Sequence, residues 1–144
     1  MTVANILKQK DGAIITASPK DTVQDIVDLL AKHRIGAVVV VDAKGGIAGI
    51  VSERDVVRAM AGNSPSVTAK PAADIMTAKV RTCSPADTEA DLMALMTEHR
   101  VRHLPVVSEG SLIGMISIGD VVKHRMQMME MEAEQMKSYI ASAG

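Results

Sequence analysis

The 144-residue chain has no tryptophan, no phenylalanine and a single tyrosine, Tyr139. Single-strand nucleic-acid binders stack bases on aromatic rings, and one ring makes no such platform. Nor is one sign of charge in surplus. Sixteen basic and seventeen acidic residues leave a formal charge of -1, with no electrostatic footprint for a phosphate backbone or an anionic bilayer. Nucleic acid and membrane are therefore not expected as partners. Cysteine is reduced to Cys83, which excludes an internal disulfide and a cysteine-based zinc site and fits a reducing compartment. Cys83 and His124 show no metal-ligand spacing with other candidates, so no metal is expected. The longest apolar run, 37–41, falls far short of the ~20 residues that span a bilayer, and residues 1–10 lack the basic-then-apolar order of a secretory signal. A cytoplasmic protein of one compact domain is expected.

What the chain has instead is itself, twice. Residues 16–44 return at 82–110 with eleven of 29 positions identical, among them Thr16/Thr82, Ser18/Ser84, Pro19/Pro85, Asp21/Asp87, Thr22/Thr88, His33/His99 and Arg34/Arg100. After a one-residue deletion, Gly49/Gly114, Ser52/Ser117, Asp55/Asp120, Val56/Val121 and Val57/Val122 also match, and 3–7 resembles 72–76. Such repetition implies two equivalent supersecondary units that pack about a pseudo-twofold axis and form related clefts where they meet. The division expected is a first repeat over 1–62, a linker over 63–71 rich in Ser64, Pro65, Ser66 and Pro71, a second repeat over 72–125, and a C-terminal helical extension over 126–144.

Within each copy the hydrophobic period changes in order. Val23, Ile26, Val27 and Leu30 lie at helical spacing, with Asp21 or Thr22 placed to cap the first turn. The β-branched run 37–41, the turn 42–46 and the apolar run 47–51 read as a hairpin. A helix follows from about Ser52, with Val56, Val57 and Met60 expected on its buried side, and a short leading strand is expected near 13–15. The second copy repeats this with a helix over 88–99, strands near 104–107 and 112–117, and a helix from Ile118. The fold class is α/β (α+β): two small sheets packed on each other with helices outside. The last helix differs from its counterpart. Val122, Met126, Met129, Ala133, Met136 and Ile140 are spaced 4, 3, 4, 3, 4, an apolar heptad seam. Such a seam either folds back on its own domain or self-associates.

Both copies close on the same chemistry. Ser52-Glu53-Arg54-Asp55 and Ser117-Ile118-Gly119-Asp120 each place a hydroxyl at a strand end and a carboxylate three residues later, in the first helical turn. A carboxylate suits the vicinal hydroxyls of a ribose, and a helix N-terminus with a hydroxyl suits a phosphate. Ser-x-x-Asp is equally an ordinary capping arrangement, and both readings stand. The copies differ at one strand entrance, where Gly36-Ala37-Val38 of the first faces Arg102-His103-Leu104 of the second. Arg102 offers a planar fork to phosphate, which would make one cleft more basic, or else the pair marks a solvated turn. His33-Arg34 and His99-Arg100 end their helices, where cations meet the C-terminal dipole.

These residues resemble the cystathionine-β-synthase (CBS) domain pair, or Bateman module, over Met1 to about Arg125. The resemblance rests on Asp-Ile-Met-Thr at 74–77, the Ser-Pro-x-x-Thr openings at 18–22 and 84–88, His-Arg-Ile-Gly-Ala at 33–37, His-Arg-Val-Arg-His-Leu-Pro-Val-Val at 99–107, and both Gly-to-Asp closures. It implies a regulatory, non-catalytic module that binds adenosyl ligands between its repeats: AMP, with ATP, ADP or NAD(H) as relatives, and no catalytic cofactor. By position it implies Asp55 and Asp120 on ribose hydroxyls and Ser52 and Ser117 on ribose or phosphate. Thr16, Thr82 and the backbone near Ala37, Val38, Leu104 and Pro105 would border the adenine, and Arg102, His103 and Arg54 would meet phosphate. The family also implies homodimers paired through helices. Its counterpart is a homo-oligomeric scaffold with vestigial clefts. An enzyme has least support, because no nucleophile, base and orienting group converge in the pattern.

Overall fold

A computed structural model describes residues 2–10, 13–62 and 65–143. The chain runs α1 (Val3–Gln9), β1 (Thr16–Ala17), α2 (Val23–His33), β2 (Ala37–Val41), β3 (Ile47–Ser52), α3 (Glu53–Ala61), two short 3-10 turns (Val67–Ala69 and Ala72–Asp74), α4 (Glu89–His99), β4 (His103–Ser108), β5 (Ser111–Ser117) and α5 (Ile118–Ala143). Ser64 of the expected linker lies outside the described residues.

The duplicated Thr and Asp residues explain where the helices begin. Thr22 Oγ1 accepts from the Asp25 amide at 3.1 Å while Asp25 Oδ2 accepts from the Thr22 amide at 2.9 Å. Thr88 and Asp91 repeat the pair at the same distances. Two otherwise orphaned donors are satisfied at each helix start. Both helices end on an arginine in the left-handed region, Arg34 at φ 52° and Arg100 at φ 53°, so that Ile35 and Val101 donate back to Leu30 and Met96.

The first sheet has order β1-β2-β3, with β1 parallel and β3 antiparallel to β2; the second pairs β4 with β5 antiparallel. The leading strand sits at Thr16–Ala17 rather than at 13–15. Its register with Val39 and Val40 starts at Thr16, and the Ser18–Asp21 turn ends it at once. In the second copy it shrinks to a single parallel bridge from Cys83 to Val106. Val38 and Val40 point into one core; Ala37 and Val39, on the opposite face, are also fully buried, so the first sheet is covered on both sides.

There are two cores, and each is completed by the opening segment of the other repeat. Val3 and Ile6 of α1 pack with Leu92, Met96, Leu104, Val106, Ile116 and Val121 of the second repeat. The Val3 and Ala4 amides donate to Asp87 and Pro85 carbonyls at 2.8 and 3.1 Å. Reciprocally, Ala72, Ile75 and Met76 pack with Val23, Ile26, Val38, Val40 and Val51 of the first repeat, and the Ala72 and Ala73 amides donate to Asp21 and Pro19. The duplicated glycines mark the crossings. A Cβ at Gly49 would lie 2.6 Å from Met76 Sδ and 2.9 Å from the Thr77 carbonyl oxygen, and one at Gly114 would lie 2.7 Å from Leu7 Cδ2.

The second half of the expected buried side of α3 is not buried. Val56 is 7% exposed, but Val57 and Met60 are 65% and 55% exposed. Only one stripe of this short helix reaches the sheet, and none of the described residues covers the next. The α5 seam does not fold back either. Val122, Met126, Met129, Met136 and Ile140 are all more than half exposed, while α5 is anchored on the other face by Val121 and by buried His124, whose Nδ1 lies 2.9 Å from Glu89 Oε2. Cys83 is buried, and desolvation, with the Asp87 charge second, pushes its thiol up to about 12; it stays protonated and inert near neutrality.

Gly49→Ala is expected to destabilise the fold by ~1–3 kcal/mol, because its methyl meets a backbone oxygen. Gly114→Ala is expected to cost less, because the end of Leu7 can swing away; chemical denaturation of both variants checks the order.

Candidate functional site

A cleft of about 620 Å³ opens where the end of β3 and the start of α3 face the second repeat. Gly36, Ser52, Arg54 and Asp55 line it from the first repeat, and Arg100, Arg102 and His103 from the second. The expected basic pair thus faces the carboxylate of the other copy. Lys79, Arg81 and Arg58 add to the wall, so that six cations, Arg54, Arg58, Lys79, Arg81, Arg100 and Arg102, surround the two carboxylates Glu53 and Asp55. That balance, at a helix N-terminus, attracts an anion.

Ser52 and Asp55 form the capping arrangement in full. Asp55 Oδ2 accepts from the Ser52 amide at 2.8 Å and from Ser52 Oγ at 3.1 Å, and the Asp55 amide donates to Ser52 Oγ at 3.3 Å. Capping and ligand binding do not exclude each other here. Asp55 Oδ1 accepts no hydrogen bond among the described residues, leaving one carboxylate oxygen for an incoming hydroxyl.

The difference between Gly36 and Arg102 has a steric origin. Both carbonyls accept from the first amide of the following helix, Glu53 to Gly36 at 2.9 Å and Ile118 to Arg102 at 2.8 Å, so the positions are equivalent. A Cβ at Gly36 would lie 3.1 Å from both Cε1 and Nε2 of His103. The small residue of one copy makes room for the imidazole of the other. Burial pulls the His103 pKa down; the Asp120 and Glu53 charges oppose this, while Lys10 and Arg102 reinforce it, and the net shift is downward. His103 is therefore a neutral group at pH 7, within a cationic wall.

The second closure is already engaged. Asp120 Oδ2 accepts from the Ser117 amide and from Lys10 Nζ, each at 2.8 Å, and Lys10 Nζ also donates to the Met115 carbonyl at 2.8 Å. Ser117 and Asp120 do not line the cleft that holds Ser52 and Asp55. Thr16, Ala37, Val38, Thr82, Leu104 and Pro105 do not line that cleft either; the Val38 and Leu104 side chains belong to the two cores, and Thr16 and Thr82 are exposed. Lys10 and Lys79 escaped the sequence reading, although a signal was present. If 3–7 is aligned with 72–76, Lys10 and Lys79 are equivalent, each seven residues after the start of its segment.

With its fold, duplicated cores and crosswise cleft, the chain belongs to the CBS-domain family, whose model matches twice, over residues 10–62 and 72–127. It is 35% identical over 147 residues to the CBS domain-containing protein CBSX3, mitochondrial, of Arabidopsis thaliana, covering 96% of this chain and 71% of that protein. The crystal structure of the CBS-domain protein ATU1752 from Agrobacterium tumefaciens superposes with a TM-score of 0.83 at 41% identity, over 86% of this chain and 92% of that one. A protein with CBS domains from Burkholderia ambifaria superposes with a TM-score of 0.81 at 48% identity, over 88% of this chain and 95% of that one. Two more distant structures share the fold. The CBS domain pair of MJ0100, in complex with 5′-methylthioadenosine and S-adenosyl-L-methionine, is 23% identical with a TM-score of 0.79, over 89% and 98%. CBSX2 in complex with AMP is 24% identical with a TM-score of 0.72, over 88% and 97%.

Burial alone would raise the Asp120 carboxyl, but the Lys10 hydrogen bond, the Ser117 amide and the Lys10 charge outweigh it and hold it below the usual carboxylate range. The stabilisation this implies is present above the ordinary carboxylate pKa and is lost as pH falls through the depressed value. In Lys10→Met the Asp120 carboxyl is expected to titrate at higher pH, followed by carboxylate NMR shifts, with part of the acid stability lost.

Proposed function

We propose that this chain is a non-catalytic regulatory module that binds an adenosyl ligand, AMP first among AMP, ATP, ADP and NAD(H), in the cleft between its CBS repeats. One observation carries the reading: Ser52 and the free Asp55 oxygen stand on one wall, and Arg100, Arg102 and neutral His103 on the other. The first wall suits a ribose diol and the second a phosphate. The adenosyl ligands held by the MJ0100 and CBSX2 structures support the class. The cationic wall favours a phosphorylated member over an uncharged nucleoside.

Because a ligand in this position touches both repeats, it favours whichever packing of the two brings the walls to the right separation. That shift, acting in a cytoplasmic homodimer, is the signal a downstream protein would read. No bond is made or broken. The exposed apolar face of α5 favours a second reading, a homo-oligomeric scaffold whose clefts are vestigial.

Calorimetric titration of nucleotide-stripped protein separates the two. AMP is expected to bind and to raise the melting temperature. Asp55→Asn, which keeps an acceptor for the cap, is expected to weaken AMP and adenosine alike. Arg102→Ala is expected to weaken AMP by about tenfold or more and leave adenosine unchanged, as the loss of a charge-assisted hydrogen bond requires. Heat from no adenosyl compound would leave the scaffold standing.

A further inference from the structure

The C-terminal helix outruns the fold it belongs to. From Met129 to Ala143 every residue of α5 is exposed, and fifteen residues without tertiary cover are at the margin of what a lone helix sustains in water. Its seam of Val122, Met126, Met129, Ala133, Met136 and Ile140 places Met126, Ala133 and Ile140 at one core position of a heptad and Val122, Met129 and Met136 at the other. The apolar face reaches back to Ile118, 45% exposed, at the start of the helix.

The charges beside the seam specify what covers it. Lys123, Glu130 and Lys137 flank it on one side, and Arg125, Glu132 and Tyr139 on the other. In a parallel pair in register, Arg125 meets Glu130 of the second copy and Glu132 meets Lys137 of the second copy, and both pairs are of opposite sign. Arg125 is free to do this: its side chain is 65% exposed, and its contact with Glu89 is a long 3.4 Å. In an antiparallel pair with full overlap, Met126 lies opposite Met136, and the flanks then set Glu130 against Glu130, Lys123 against Lys137, and Glu132 against Glu132. Sliding that pair by a heptad relieves the repulsion but strands two seam residues at one end of each helix. Only the parallel arrangement buries all six layers and pairs the charges.

We infer that α5 joins the same helix of a second copy as a parallel, two-stranded coiled coil, which places the two modules side by side at one end. This deepens the homodimer reading above and is independent of which ligand binds. In a parallel coil identical core positions face each other, so the full chain carrying Met136→Cys is expected to form a disulfide dimer in a mild redox buffer, with buried Cys83 silent. Gln135→Cys, outside the seam, is expected not to. Lys137→Glu is expected to weaken association by about fivefold, ~1 kcal/mol over two symmetric exposed pairs, and Glu132→Lys in the same chain to restore it. Cross-linking of Met136→Cys only when mixed with Met126→Cys would overturn the parallel coil in favour of an antiparallel one. A chain that sediments as a dimer yet fails to cross-link at 136 would overturn the coil and leave the homodimer, and a monomer would remove both.

Discussion

Everything in this structure depends on an exchange: the segment that opens each repeat completes the core of the other. A unit of two helices and a two- or three-stranded sheet is too small to complete a core alone. Val3 and Ile6 fill that need for the second repeat, and Ala72, Ile75 and Met76 for the first. Because the crossing segments lie directly on the strands, β3 and β5 each carry a glycine at the contact, Gly49 against the Thr77 backbone and Gly114 against the Leu7 side chain. Their role is packing.

The exchange also delivers the site. Residues 77–81, continuing from the segment that crosses to the first repeat, carry Lys79 and Arg81 to the cleft beside Ser52 and Asp55. The equivalent stretch after α1 carries Lys10 to Asp120. In one half the lysine lines an open cavity; in the other it is hydrogen-bonded to the carboxylate. The contact between Gly36 and His103 adds to this asymmetry: Arg102 stands at the position equivalent to Gly36, where a side chain would press on the imidazole.

Local chemistry was legible because it is written in neighbours a few residues apart. Of the two caps that the spacing offered, Asp21 or Thr22, Thr22 is the one that closes on the helix start, by a contact three residues long, and the valine run 37–41 with its turn closes a hairpin. The leading strand was misplaced because its position depends on a register with Val39, more than twenty residues away. Val57 and Met60 were misjudged for a related reason. Helical spacing identifies an apolar stripe, but how much of it is covered depends on what stands opposite, and none of the described residues does.

By itself the amino-acid sequence determined that there are two units, where their helices start, and that both end in a hydroxyl and a carboxylate at a helix N-terminus, because these follow from repetition and short-range hydrogen bonding. Only the tertiary structure decided that Ser52 and Asp55 face Arg102 and His103 across one cleft, that Lys10 takes Asp120, and that the α5 seam is left bare. Those outcomes arise from which surfaces meet when the segments cross, a long-range choice that no stretch of neighbouring residues encodes.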